Sequence, residues 1–514
     1  MAVKGVVVAG HERTAQAAKA ILQEGGNAFD AAIAAFFMAC VAEPVLASLG
    51  GGGFLLARPG DGPVKIFDFF VHTPQVQRPD TDIDFRPIVA DFGTTQQEFH
   101  IGFGSIATPG IVRGMFEMHR QLGSMPLQEI VLPAVEAARH GVRVNIFQAY
   151  ILSVVAPIFG SSEESTRTYG GSADTGLAGE GDLLRNEQLA QTVEILALEG
   201  DDLFYRGEIA QLIAEQCQAG GGHLSRKDLQ DYRVQVRDPL EVPYRNGRLF
   251  TNPPPASGGL LIGFGLRMLA DVITAGTTFG SNKHLAGLAR VMGLTNRARM
   301  EFLSQYEAHN LDATALLDDD YLKRYREEIA GRPAALRGTT HIGVIDKKGN
   351  VASLSVSNGE GCGALVPGTG IMLNNMLGEQ DLNPTGFHRW TPNVRLTSML
   401  SPSLLVDGKG RLIATGSGGS NRIRTAILQV LINVMDFGMT LQSAVESPRI
   451  HYEHDELNIE GGFDPAVIEQ LTAGYPHNRV WEGLNLFFGG AHTVAWDGRS
   501  FEGTGDPRRG GVCM

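Results

Sequence analysis

RGTTHIGVIDKKGN, residues 337–350, runs on into VASLSVS, residues 351–357, and the reading of these two stretches decides the fold. Residues 339–346 alternate as a strand does, 347–350 read as a turn, and 351–357 alternate back, so the pair is a β-hairpin. A hairpin does not require what stands at the head of its first strand, where Gly338 is followed by two hydroxyls and an imidazole, Thr339, Thr340 and His341. A short motif of this kind decides nothing alone. The rest of the chain has to say whether those hydroxyls carry chemistry.

The chain has 514 residues, 43% of them hydrophobic and 19% charged, a globular composition long enough to bury a large core. Its 65 glycines point to many tight turns and close backbone approaches. A formal net charge of -13, with no basic run longer than Pro507-Arg508-Arg509, argues against a nucleic-acid partner, because phosphate binding needs concentrated Lys and Arg. Cys40, Cys217, Cys362 and Cys513 form no CxxC or Cys/His pattern. Neither a structural zinc site nor a disulfide framework is expected, and most of the four read as buried thiols. The first residues hold no apolar segment followed by a cleavage site, and no long apolar run occurs anywhere, so a soluble, cytoplasmic chain without membrane contact is expected.

Residues 6–9 read as a short strand, followed by two helices broken at Gly25-Gly26, the second capped by Asn27 with Asp30 in its first turn. That second helix is apolar nearly all round from Ala31 to Ala42, which suits a helix buried on two sides. Four glycines, Gly50 to Gly53, lead into strands at 54–57 and 64–70. The middle is mainly helical, at 109–122, 127–140, 186–199, 207–219 and 284–306. TNPPPASGG, residues 251–259, is a rigid loop, and the charged stretch from Asp318 reads as an exposed linker into the opening hairpin. Further strands are expected at 403–406, 412–415 and 492–496, with a helix at 422–434. This order suits a layered α/β core with a helical insertion.

Several candidate motifs have plain explanations. Gly50 to Gly53 and Gly416 to Gly419 match neither a phosphate loop nor a dinucleotide fingerprint, so no nucleotide cofactor is expected. HYEHDE, residues 451–456, offers two histidines and carboxylates but no helical context; it reads as a surface turn, and no metal is expected. Cys362 has no local base and reads as a small buried thiol. GSGGSNR, residues 416–422, is different in one respect: amides at a glycine-rich turn before a helix converge as an oxyanion requires, provided a nucleophile lies opposite.

Eight segments in order, GGNAFDAAIAAFF, EPVLASLGGGGF, GSIATPGIVRGM, PPPASGG, TTHIGVIDKKGN, TGIMLNNM, SMLSPSLLV and GDPRRGG, together resemble the γ-glutamyltransferase (glutathione hydrolase) family of N-terminal-nucleophile hydrolases, end to end. The resemblance implies a four-layer αββα sandwich, made as a precursor that cuts its own chain before a threonine. It divides the chain into a large-subunit part, 1–338, and a small-subunit part, 339–514, both building one αββα domain and remaining together as a heterodimer. A threonine hydroxyl needs a base, and a freed α-amino group with a pKa of about 7.7 to 8.0 is suited to be one. Thr339 carries both, and no cofactor is implied.

Carried over by position, Ser357 falls on a family threonine whose hydroxyl supports the nucleophile. Thr340 and His341 are assigned to orienting it. Thr397 and Ser398 fall on paired hydroxyls that hold the substrate α-carboxylate. Gly418 and Gly419 lie on the oxyanion loop, where the family's GSPGGSR is here GSGGSNR, which leaves open by one residue which amides point inward. Recognition departs further. The family's carboxylate-clamping arginine lies where this chain has Phe70, in DFFVHTP. Its glutamine and aspartate that receive the α-amino group are here Met376 and Glu379, and a family asparagine aligns with Gly359, with Asn358 one place off.

The expected function is that of a self-processing amidohydrolase acting through a Thr339 acyl-enzyme on a small-molecule amide that is not an ordinary γ-glutamyl zwitterion. The alternative within the enzyme class is a true γ-glutamyl hydrolase or transferase in which Arg395, two before Thr397 and facing the same way on an extended strand, replaces the clamp. A ligand-binding scaffold without turnover is the alternative of another class.

Overall fold

The computed structural model describes residues 3–91, 96–307, 317, 322, 338–383 and 386–514. The linker expected from Asp318 lies, apart from Leu322 and Gly338, outside the described residues. Two sheets face each other with helices outside each, an αββα sandwich. The first has seven strands in the spatial order Val512–Cys513, Gly5–Ala9, Thr340–Asp346, Val351–Ser357, Gly52–Arg58, Lys65–Phe69 and Gln235–Arg237. The hairpin at 340–357 is therefore central, paired on one side to Gly5–Ala9 and on the other to Gly52–Arg58, antiparallel throughout.

Central strands of this sheet are buried on both faces. Val7, Leu55 and Leu354 belong to the apolar layer beneath the outer helices, while Val6, Val8, Phe54 and Leu56 point into the layer between the sheets. This is the period of two expressed in a strand with no wet face. The helix Ala28–Ala42 crosses the outer face, and each of its 15 residues is buried. It starts where Asn27 accepts from the amides of Phe29 and Asp30 while Asp30 answers the Asn27 amide, a capping box. The middle helices, among them Leu127–His140 and Glu187–Glu199, pack in the same outer layer.

The second sheet runs Phe501–Thr504, His492–Trp496, Leu412–Gly416, Ser403–Val406, Gly247–Thr251 and Leu240–Tyr244. Its last two strands form a hairpin that sequence patterning did not signal, because Pro243 sits inside Leu240–Tyr244. That proline is tolerated since this strand is the sheet's edge. The outer layer here is Gly258–Val272 and Arg422–Met435.

HYEHDE is not a surface turn. Ile450–Glu453 and Glu456–Ile459 pair as a hairpin, with His451 and Glu453 buried and only His454 and Asp455 turning through positive φ. Glu453 is held by His451 at 3.2 Å, Arg424 at 3.1 Å and Arg299 at 3.8 Å, and the His451 hydrogen bond with those cations keeps its carboxyl well below the ordinary range against the opposing effect of burial. Cys40, Cys217 and Cys362 are buried and Cys513 is exposed. Burial pushes the Cys362 thiol up to about 12, leaving it inert as a nucleophile.

Candidate active site

Thr339 stands at the head of the central strand, 4% exposed, and the register Thr340↔Val356 brings it beside Ser357 at the end of the partner strand. In the uncut chain the Ser357 hydroxyl donates to the carbonyl oxygen of Gly338 at 2.8 Å and accepts from the Gly359 amide at 3.1 Å. The carbonyl at the Gly338–Thr339 bond is thus already polarised by one donor. On the other side of Gly338, its amide donates to Glu360 Oε1 at 2.9 Å.

The glycine loop after Leu412–Gly416 lies against the far side of Thr339, at its own carbonyl. A Cβ on Gly418 would stand 2.3 Å from the Thr339 carbonyl oxygen, so only glycine allows this approach, and Gly419 has φ of 118°, which also favours glycine. The loop turns into Arg422–Met435 through Ser420, whose hydroxyl donates to Asp381 at 2.5 Å. The Arg509 guanidinium backs the loop, its Nη2 3.0 Å from where a Gly419 Cβ would be, and burial lowers it to about 10.

A cleft opens over Thr339 and Ser357. Of the recognition residues expected from sequence, Phe70, Met376, Glu379 and Ser398 line it. Thr397, Asn358 and Arg395 do not. Thr397 donates to the Pro255 carbonyl at 2.9 Å, because neighbours on an extended segment face opposite ways and Ser398 takes the cleft side. The same alternation sends Asn358 away from the cleft while Ser357 faces it; the Asn358 amide is buried. Arg395 indeed shares Thr397's side, which is the wrong one for a clamp. It donates to the Arg233 carbonyl at 2.8 Å, to Tyr232 Oη at 2.5 Å and to the Phe70 carbonyl, and its Nε lies 3.3 Å from Asp68. Asp68 is fully buried and is paired by both Arg237 and Arg395, and with its further bonds to backbone carbonyls the Arg395 guanidinium is engaged behind the cleft wall.

Neither Thr340 nor His341 hydrogen-bonds Thr339 directly among the described residues; each is held by another partner. Thr340 Oγ1 donates to Glu43 at 2.9 Å, whose other oxygen accepts from Thr14 at 2.7 Å. The His341 ring lies between the sheets, Nδ1 2.8 Å from Ser355 Oγ, and burial lowers it to about 3, so it is neutral. Sequence reading missed Glu43, Glu360 and Arg509, which folding brings to Thr340, to Gly338 and to the glycine loop respectively. It also missed the apolar lining by Leu382, Met399, Leu400 and Ile423. Pro255 and Ser257 explain the rigid loop: the Ser257 amide donates to the Ser398 carbonyl at 2.9 Å, bracing that wall. No group of three metal-ligating side chains occurs among the described residues.

The family model described as Gamma-glutamyltranspeptidase matches residues 14–514. The glutathione hydrolase proenzyme of Escherichia coli (strain K12) is 31% identical over 508 residues, covering 91% of this chain and 85% of that protein. The Acylase ACY 1 proenzyme of Pseudomonas sp. (strain V22) is 29% identical, covering 91% and 86%. In fold, the crystal structure of cephalosporin acylase from Bacillus halodurans superposes with a TM-score of 0.82 at 23% identity, covering 99% of this chain and 95% of that one.

Proposed function

The chain belongs to the γ-glutamyltranspeptidase family of hydrolases and transferases, and from that premise we propose that it is a self-processing amidohydrolase with Thr339 as nucleophile and an acyl group that carries no free carboxylate. In processing, the Thr339 hydroxyl oxygen attacks the Gly338 carbonyl carbon, the C–N bond breaks, and the hydroxyl proton goes to the departing nitrogen. Water then cleaves the resulting ester, leaving a carboxylate on Gly338 and an α-amino group and a restored hydroxyl on Thr339. The products are chains of 1–338 and 339–514, held as a heterodimer.

In turnover the α-amino group of Thr339 takes the hydroxyl proton as the oxygen attacks a substrate amide, and passes it to the leaving amine. Water or a second amine resolves the acyl-enzyme. The Ser357 hydroxyl, no longer held by Gly338, is available to the nucleophile, and backbone amides of the loop at Gly418 and Gly419 receive the oxyanion. The observation that carries this reading is the uncut bond itself, with the Ser357 hydroxyl 2.8 Å from the Gly338 oxygen and the glycine loop pressed against Thr339.

The acyl preference rests on the cleft wall. Phe70, Met376, Leu382, Met399, Leu400 and Ile423 give it apolar surface. Its charged lining, among the described residues, is Glu379 and Asp381, with no Lys, Arg or His. A γ-glutamyl α-carboxylate bound here would be desolvated next to like charge, which is strongly unfavourable. Intact mass and a panel of acyl p-nitroanilides test the proposal. Wild-type protein should give two chains, the smaller starting at Thr339, and Thr339→Ala should remain one chain of 55.2 kDa. Wild-type protein that stays whole and inactive on prolonged incubation would sink it; efficient cleavage of γ-glutamyl-p-nitroanilide above all neutral acyl amides would sink the acyl assignment alone.

A further inference from the structure

Gly338 has two polar backbone groups, and both are held. Its carbonyl accepts from Ser357 at 2.8 Å, and its amide donates to Glu360 Oε1 at 2.9 Å. Glu360 is only 2% exposed and is itself fixed: its amide donates to Asn375 Oδ1 at 2.9 Å, and its neighbours Gly359 and Gly361 turn the chain through φ of 62° and 93°. A Cβ on Gly338 would stand 2.8 Å from the Gly359 carbonyl oxygen, so residue 338 is pressed onto the turn that presents Glu360. A carboxylate buried in this way and accepting a backbone amide is an anchor, since charge-assisted hydrogen bonds are shorter and stronger than neutral ones.

We propose that Glu360 is a positioning residue for self-cleavage, holding the peptide before Thr339 so that the Gly338 carbonyl carbon faces the threonine hydroxyl while Ser357 grips its oxygen. The inference rests on the self-processing reading above and assigns a residue that reading does not use. Glu360 touches neither reacting atom; it acts through the orientation of Gly338.

The test follows cleavage of freshly purified precursor by intact mass over time, with circular dichroism as a fold control. Losing a charge-assisted anchor should slow cleavage about 10-fold or more in Glu360→Ala. Glu360→Gln keeps both the length and an acceptor oxygen, so it should cleave within a few-fold of wild type, whereas Glu360→Asp withdraws the acceptor and should be slow like alanine. This rank order, with glutamine fast and aspartate slow, distinguishes placement of an acceptor from mere charge and from loss of folding. If Glu360→Ala or Glu360→Asp cleaves as fast as wild type, the inference fails while self-processing stands. It fails equally if glutamine is as slow as alanine. Wild-type protein that never cleaves removes the self-processing reading itself.

Discussion

The ring of Phe70 stacks on Phe54 with centroids 5.3 Å apart and lines the cleft, where the family resemblance leads one to expect a guanidinium. The nearby guanidinium of Arg395 does not substitute for it, being spent on Asp68 and on backbone carbonyls behind the wall. A charge-assisted hydrogen bond to a carboxylate is worth about 1.5–3 kcal/mol. Phe70→Arg should therefore raise the ratio of kcat/KM for γ-glutamyl-p-nitroanilide to that for a neutral acyl p-nitroanilide about 10-fold or more, and competition assays on the two substrates measure it. No change in the ratio, in protein that folds and cleaves itself, would mean that Phe70 does not decide recognition. At this scale Thr339, its neighbour Ser357 and the cleft residue Phe70 were legible as residue types in motif positions. Thr397, Asn358 and Arg395 do not line the cleft, because the facing of a side chain on an extended segment depends on register, which a quoted motif does not contain.

Glu43 closes the helix Ala28–Ala42 as its C-cap and ties that helix to Thr14 of Glu12–Glu24 and Thr340 of the central strand. Burial without a cation pushes its carboxyl from 4.5 up to about 7, and the helix C-terminus adds an unfavourable field. The folded protein holds this proton after the unfolded chain has released it. Glu43's contribution to stability is thus complete below about pH 4.5 and is lost as pH rises through about 7. A shift of this size corresponds to about 3 kcal/mol. Denaturant titrations of wild type and Glu43→Gln between pH 5 and 8.5 should diverge, with wild type losing stability relative to the variant toward high pH; parallel curves would show that Glu43 does not titrate in this range. The helix itself was evident from an unbroken apolar run behind an Asn cap, whereas the carboxyl closing it was not, because its two hydroxyl partners lie far off in sequence.

The proposed cut at Gly338–Thr339 passes through the middle of the molecule. Gly5–Ala9 pairs with Thr340–Asp346, Gly52–Arg58 with Val351–Ser357, and Gly247–Thr251 with Ser403–Val406, so both sheets draw strands from each side of the cut. Cleavage therefore removes one peptide bond and no sheet pairing. The two chains should co-elute on gel filtration in native buffer and separate only in denaturant, with unfolding of the cleaved protein a single transition. Separation at low concentration without denaturant would show that the sandwich is not continuous across the cut.

Local pattern in the amino-acid sequence determined much by itself. The hairpin after Gly338, the buried helix behind Asn27 and the glycine turn before Arg422–Met435 all follow from periodicity, capping and glycine, which act over a few residues. Motif order added the family. Tertiary structure alone decided what faces Thr339: the seating of Gly338 by Ser357 and Glu360, the apolar wall with Glu379 and Asp381, and the commitment of Arg395 to a buried Asp68. Those contacts join residues from 19 to 327 positions apart, and their geometry is set by strand register and by the need of each buried charge for a partner. No local window of sequence contains either.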